Sequence, residues 1–189
     1  VADIKDGNRI IEIQTSGFYT MKRKLEVFLR NNDVTVVYPI VKNKLISWVD
    51  PESGEIVKTT KSPKHPSKIS LLKEIYGIRD LLPNERLSFD VVEVKATDYR
   101  LLNGFGKDKK SKATKVDRIP TELIDITHLS GAEDYRKLMP FEKDTDFTAA
   151  DLAKSTRLNR AESYKAIAVF KMFGIIRESA LNGRCKIYK

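Results

Sequence analysis

Three polar side chains stand inside an otherwise apolar opening segment, VADIKDGNRIIEIQT. Asp3 precedes the turn Asp6-Gly7-Asn8, and Glu12 and Gln14 follow it among isoleucines. Residues 1–5 alternate in polarity and so do 10–14, which makes the segment a β-hairpin. A loop at Gly7-Asn8 makes Asp3 the direct cross-strand partner of Glu12. A loop at Asp6-Gly7 makes the two diagonal neighbours. In both registers Asp3, Glu12 and Gln14 share one face. Ile4, Ile11 and Ile13 are then expected on the other face, turned into a core. Directly opposed residues have Cβ atoms about 4.5–5.5 Å apart, so two carboxylates placed there repel unless a cation lies between them. Mg²⁺ or Mn²⁺ suits that role. Such a hard cation takes oxygen ligands, commonly one or two carboxylates with water and substrate phosphate. In hydrolysis it neutralises phosphoryl oxygens and lowers the pKa of an attacking water. The Ile13 carbonyl, between the two polar side chains, is a third candidate ligand. The plainer reading is a solvent-facing hairpin that happens to carry two acids, and both readings stand at this point.

The elements that must hold this hairpin follow from periodicity. Residues 19–31 place Met21, Leu25, Phe28 and Leu29 at helical spacing, and NND ends the run. VTVVYPIV is a nearly continuous apolar strand, of the kind buried on both faces. KLISWVD and IVKTT flank the turn PESGE as a second hairpin. Residues 67–82 read as a helix with Ile69, Leu72, Ile75 and Tyr76 on one side. RLSFDVVEVKATDYRLL is a long strand. The order β–β–α–β–β–β–α–β over residues 1–102 predicts an α/β domain around a mixed sheet. Residues 103–118 hold six basic residues, two glycines and no apolar period, and read as a basic linker or loop.

The remaining segment, 119–189, is patterned differently. GAEDYRKLM is a short helix. TAAD and NRAE are capping patterns that open two further helices, the second running to Phe173 with Gly174 as its left-handed stop. Two alternating strands around Asn182-Gly183 close the chain. A helix, a helix–turn–helix and a two-stranded ribbon resemble a winged-helix domain. Its second helix would enter a DNA groove, N-terminal residues first. That assigns Arg160, Ser163 and Lys165 to bases or phosphates, and Arg184 and Lys186 of the ribbon to the backbone. Lys64, in the proline-stiffened KTTKSPKHPSK, and Lys109 and Lys110 of the basic run are further candidates. The second helix is also rich in Tyr164, Ile167, Val169, Phe170, Met172 and Phe173, more than one core stripe needs. Protein contact, including a homodimer, is therefore a rival use.

Composition agrees with a nucleic-acid partner. The 189 residues carry 35 Lys+Arg against 26 Asp+Glu, a formal charge of +9, as polyanion binders often do. One cysteine and two histidines exclude a disulfide and a Cys- or His-based zinc site. No run of about 18 apolar residues suggests a membrane span, and no signal peptide is evident. A cytoplasmic protein without a small-molecule cofactor is the expectation.

Asp3 and the E-x-Q of Glu12 and Gln14, followed by a Lys/Arg-rich helix, resemble the PD-(D/E)XK nuclease superfamily. The stretch IIEIQTSGFYTMKRKLEVFL leading into VTVVYPI is similar to bacterial proteins that join such a domain to a C-terminal winged helix. The resemblance implies a restriction-endonuclease-like mixed sheet and Mg²⁺-dependent phosphodiester hydrolysis, with DNA as substrate and RNA as a weaker option. It implies Asp3 and Glu12 as metal ligands. Gln14 stands where the superfamily usually has lysine. It would position water, and Lys22, one turn into the next helix, would supply the missing cation. The superfamily's first helix and first strand should precede Asp3. They would have to come from upstream of Val1 or from another chain. The alternative reading keeps the winged helix as a binding module and makes the nuclease-like domain a non-catalytic platform.

Overall fold

The computed structural model describes residues 1–64, 66–105 and 112–189. They divide into two compact units. The first comprises Val1–Tyr38, Ser67–Val91 and Thr127–Lys189, and the second Pro39–Pro66 and Val92–Ile126. The architecture is α/β with a large mixed sheet.

The hairpin forms as β1 (Ile4–Asp6) and β2 (Arg9–Ile13), with Asp6 paired to Arg9 across a Gly7-Asn8 loop. Gly7 takes φ +54° there, a conformation that glycine adopts without steric cost. The chain then passes through a 3₁₀ turn, Phe18–Met21, into α1 (Lys22–Phe28). It returns as β3 (Asp33–Val49), which pairs parallel to β2 in the register Glu12↔Val36. The helix is thus the crossover that a parallel pair requires. Strand β3 is one continuous element; the sequence suggested two, because the polar Lys42-Asn43-Lys44 interrupts the apolar run.

β4 (Ile56–Lys61) pairs antiparallel with the far part of β3. The expected helix over 67–82 is broken. A 3₁₀ turn, Lys68–Ser70, leads to α2 (Leu71–Ile75) and a second 3₁₀ stretch, Tyr76–Leu81, in which Ile78 is non-helical. Strands β5 (Leu87–Leu101) and β6 (Thr114–Leu129) complete the sheet, whose order is β1-β2-β3-β5-β6 with β4 beside β3. Residues 114–118, read as linker, therefore begin a sheet strand. Residues 119–129, read as the start of the last domain, finish it. Its Thr, Val and Ile content carried a strand signal that the neighbouring charges masked.

The rest follows the expected order. It contains α3 (Ala132–Arg136), β7 (Phe147–Thr148), α4 (Ala149–Thr156), α5 (Arg160–Met172), β8 (Glu178–Asn182) and β9 (Cys185–Tyr188). Both capping boxes form, Thr148 with Asp151 and Asn159 with Glu162. Asn182 pairs with Cys185, so the hairpin loop is Gly183-Arg184 rather than Asn182-Gly183. The three strands form a small sheet in the order β7-β9-β8.

The core of the first unit explains why β2 sits where it does. Phe18 is fully buried, edge-on to Tyr38 at 5.7 Å and stacked near Phe89 at 6.3 Å. Leu25, Val34, Val36, Leu71, Leu72 and Ile75 fill the space around it. Each such side chain contributes about 1.5–3 kcal/mol of burial. The Gly17 N–H donates to Glu74 Oε2 at 2.8 Å, tying the exit of the hairpin to α2. Gly77 lets the two 3₁₀ segments meet: a Cβ there would lie 2.9 Å from Tyr19 Cβ and 3.4 Å from its Cα. Since Tyr19 Cβ is anchored to backbone, Gly77→Ala should cost about 1–3 kcal/mol. Urea denaturation measures this, and an unchanged midpoint would contradict the close approach.

Candidate active site

The hairpin brings Asp3 and Glu12 together, but on the face opposite to the one the isoleucines suggested. Ile10 and Glu12 are buried at 2% and 3% exposure, whereas Ile4 and Ile13 are half exposed. The parallel register explains it. Ile10 and Glu12 lie beside Val34 and Val36, whose side chains face the helices. A carboxylate therefore enters the packed face, and the isoleucines Ile4 and Ile13 turn outward.

Every oxygen of Glu12 has a partner. Oε1 accepts the Asp3 N–H at 3.2 Å, and Oε2 accepts Lys24 Nζ at 2.5 Å. Asp3 Oδ2 accepts the Ile13 N–H at 2.8 Å. The two acids are thus bridged through backbone rather than left in bare repulsion. Gln14 is held at the end of the strand by its N–H to Val37 O at 2.9 Å, and its side-chain Nε2 donates to Ser16 O at 2.6 Å.

The cation is Lys24, not Lys22. Lys22 is ion-paired with Asp80 on the other side of α1. The buried stripe of this segment is Met21, Leu25 and Leu29, and Lys22 and Lys24 flank it on opposite sides. The sequence shows both flanks. Which flank meets β2 depends on how the helix lies across the sheet, and only the fold decides that. Lys24 Nζ also lies 5.6 Å from the Phe28 ring, which supports its stem.

The oxygen donors suit Mg²⁺ or Mn²⁺. Two carboxylates and one carbonyl are available, and such cations commonly use one or two carboxylates and keep several waters. The Ile13 carbonyl points to the same strand edge as its N–H, the edge that meets Asp3. Asp3 Oδ1 makes no hydrogen bond among the described residues, and Lys24 competes with a metal for Glu12 Oε2. Among the described residues no three His, Cys, Asp or Glu side chains gather into one group. The set is therefore limited to Asp3, Glu12 and the Ile13 carbonyl.

The candidate nucleic-acid residues divide. Arg160, Lys165 and Arg184 are exposed, as is Lys64. Lys186 shares Glu178 with Lys171, at 3.0 and 2.6 Å. Ser163 is removed from the interface: it is fully buried, and its hydroxyl donates to Asn159 O at 3.0 Å. Helical position N4 points back over the first turn, and here that turn faces α2. Lys109 and Lys110 lie outside the described residues. The apolar surplus of α5 packs within its own unit, against α4 and α2, with Lys73 and Glu162 paired at 2.7 Å. Tyr164 and Met172 remain partly exposed.

Residues 1–130 match the model of the family described as Domain of unknown function (DUF8091). The chain belongs to the DUF8091 family. The family's matched span includes the acidic hairpin, α1 and all six strands of the large sheet, and it ends one residue past β6. The chain is also similar to an uncharacterized protein of Treponema pallidum (strain Nichols), 26% identical over 180 residues. That similarity covers 95% of this chain and 70% of the relative. No solved structure matches the chain. No helix among the described residues is long and apolar enough to cross a membrane.

The Glu12–Lys24 pair should be energetically visible. Glu12 is nearly inaccessible and Lys24 about one-third exposed. Removing the lysine strands a buried carboxylate. A double-mutant cycle of Lys24→Met and Glu12→Gln, read by chemical denaturation, should give a coupling of about 1–3 kcal/mol. Additive single effects would show that the two groups do not act on each other.

Proposed function

We propose that this protein is a DNA-binding, divalent-metal-dependent phosphodiesterase with a nuclease-like α/β domain and a winged-helix domain. The observation that carries the reading is the juxtaposition of Asp3, Glu12 and Lys24. Two carboxylates, one just before β1 and one on β2, and one lysine are the groups such hydrolysis needs, although the lysine comes from α1 rather than from position 14. The connectivity supports it too. An antiparallel hairpin, a crossover helix and a strand parallel to the second hairpin strand follow the order the superfamily resemblance implies. For the winged helix, the support is the succession α3, β7, α4, α5, β8, β9 with the small sheet in the order β7-β9-β8.

Each side chain then has a role. Asp3, Glu12 and the Ile13 carbonyl would hold Mg²⁺ or Mn²⁺, which when bound polarises the phosphoryl group and acidifies a water. Lys24, released from Glu12, offers its ammonium to the charge that develops on phosphoryl oxygens. Gln14, hydrogen-bonded to Ser16 O, borders the site as a neutral donor and acceptor. Arg160 and Lys165 at the start of α5, with Arg184 in the β8–β9 loop, present cations to phosphates. Arg160 sits at the first position of α5, so it stays outside the packing against α2.

Incubation with plasmid and labelled oligonucleotides in Mg²⁺ or Mn²⁺ tests the assignment. Asp3→Asn, Glu12→Gln and Lys24→Met should each lower cleavage by about 10²–10³, the scale for loss of one charge-stabilising group. Lys22→Met should leave it within about twofold, since that side chain serves Asp80 on the opposite flank. Cleavage that survives Asp3→Asn, the exposed and structurally mild change, would overturn the site.

A second reading, binding without hydrolysis, is favoured by one specific observation: Lys24 already neutralises Glu12, and the Ile13 amide holds one oxygen of Asp3. It predicts salt-dependent DNA binding with no cleavage under any metal. In either reading, Arg160→Glu with Arg184→Glu should reduce the slope of log K against log salt by about one to two. An unchanged slope, measured by fluorescence anisotropy, would remove α5 and the loop from the interface.

A further inference from the structure

Helix α5 packs one side into the first unit and leaves the other bare. Ser163, Ala166, Ile167, Val169 and Phe170 are buried. At about 100° of turn per residue they occupy one continuous arc, which meets α4 and α2. The opposite arc is exposed, and its side chains are ordered. Tyr164, 46% exposed, stands near the middle, with Ala161 one turn before it and Ala168 one turn after. Lys165 lies on one border of the arc, and Arg160 and Lys171 lie on the other.

The charges of this face suit a polyanion. Arg160 and Lys165 are exposed and enter no ion pair among the described residues. The carboxylate of the helix itself, Glu162, is turned to the packed side, where it accepts Lys73 Nζ at 2.7 Å and the Asn159 N–H at 2.9 Å. The carboxylate at the far end, Glu178, is matched by Lys171 at 2.6 Å and Lys186 at 3.0 Å, two cations to one acid. A helix is about 10–12 Å across, and a major groove is about 12 Å wide. Cations along both borders of α5 therefore meet the phosphates of both groove walls. A second copy of this chain laid on the same face would oppose cation to cation. The middle of the face decides which feature of the groove is read. Bidentate pairing with a purine edge needs an amide or a cationic side chain, and Ala161, Tyr164 and Ala168 have neither. They offer a ring and two methyl groups, and the apolar feature of the major groove is the C5-methyl of thymine.

Resting on the DNA-binding function proposed above, we infer that α5 reads thymine methyl groups in the major groove, with Tyr164 as the side chain that determines specificity. Its ring packs on a methyl group, and its hydroxyl reaches a neighbouring base edge or phosphate. Ala161 and Ala168 add no bulk beyond Cβ, so the helix comes close to the base edges on either side of the ring. Arg160 and Lys165 hold the two strands and carry affinity rather than sequence. The preferred sites are therefore rich in A·T pairs. None of these residues belongs to the acidic hairpin, so the assignment stands under either of that hairpin's proposed uses.

Fluorescence anisotropy of the full chain with three two-turn duplexes tests this: alternating A·T, the same duplex with deoxyuridine in place of thymidine, and alternating G·C. Deoxyuridine removes the methyl groups and leaves the pairing edges unchanged. The A·T duplex should bind more tightly than its deoxyuridine copy, by about fourfold for each methyl contacted. Tyr164→Ala should bring that ratio close to one while the salt dependence stays that of the wild type, since the cations remain. Tyr164→Phe should keep the ratio. Tyr164 is exposed, so neither change should disturb the fold. Equal binding of all three duplexes would overturn the inference and leave DNA binding itself intact. A preference for A·T that survives deoxyuridine would place the readout in the minor groove or in DNA shape and overturn it as well. A ratio unchanged by Tyr164→Ala would remove Tyr164 from its role. No binding to any duplex would sink the DNA-binding proposal, and this inference with it.

Discussion

A buried carboxylate meeting a lysine across a β–α crossover organises the first unit. Glu12 lies on the face of β2 that packs against the helices, where an unpaired charge would cost several kcal/mol. Lys24 prevents that, because α1 lies across the sheet with this flank toward β2. The rest follows. Leu25 goes into the core, Lys22 is left on the far flank with Asp80, and the exit from β2 through Gly17 is held by Glu74. The backbone reinforces the arrangement, because Asp3 and Glu12 exchange contacts through the Asp3 and Ile13 amides.

An ion pair of this kind contributes little net stability compared with apolar residues of the same volume. The proposed function gives this pair, at the junction of hairpin and crossover, a use beyond packing. Three groups that hydrolysis of a phosphodiester employs occupy one strand end, and a divalent cation is the partner that would compete with Lys24 for Glu12. In the proposed function, neutralisation by the lysine would be the state of the protein before a metal binds. Under that proposal the same side chain would become an unpaired cation beside the metal. Under the same proposal, the lysine on the helix would stand in for the charge that the superfamily resemblance leads one to expect at Gln14.

Much of this was legible in the sequence. The hairpin came from alternation around Asp-Gly-Asn, which left two registers open until Asp6 was seen paired with Arg9, and both capping boxes came from the spacing of Thr148 with Asp151 and Asn159 with Glu162. The failures have physical causes. The buried face of β2 was misassigned because Ile outnumbers Glu, whereas β3 decides which face meets the helices. Lys22 and Lys24 are equivalent flanks until the crossover is in place. Ser163 has the right type and helical position for a phosphate contact, but tertiary packing of α5 on α2 removes it. Strand β6 was hidden by charged residues of both signs on a strand whose sides are exposed over residues 114–126.

The central claim is that Asp3 and Glu12 form a metal site gated by Lys24. Manganese binding to the full protein, followed by electron paramagnetic resonance, tests it most directly. Wild-type protein should bind one Mn²⁺, Asp3→Asn should lose it, and Lys24→Met should bind it more tightly because Glu12 no longer has a competing cation. Binding that is absent in the wild type, or that Lys24→Met weakens, would contradict the account.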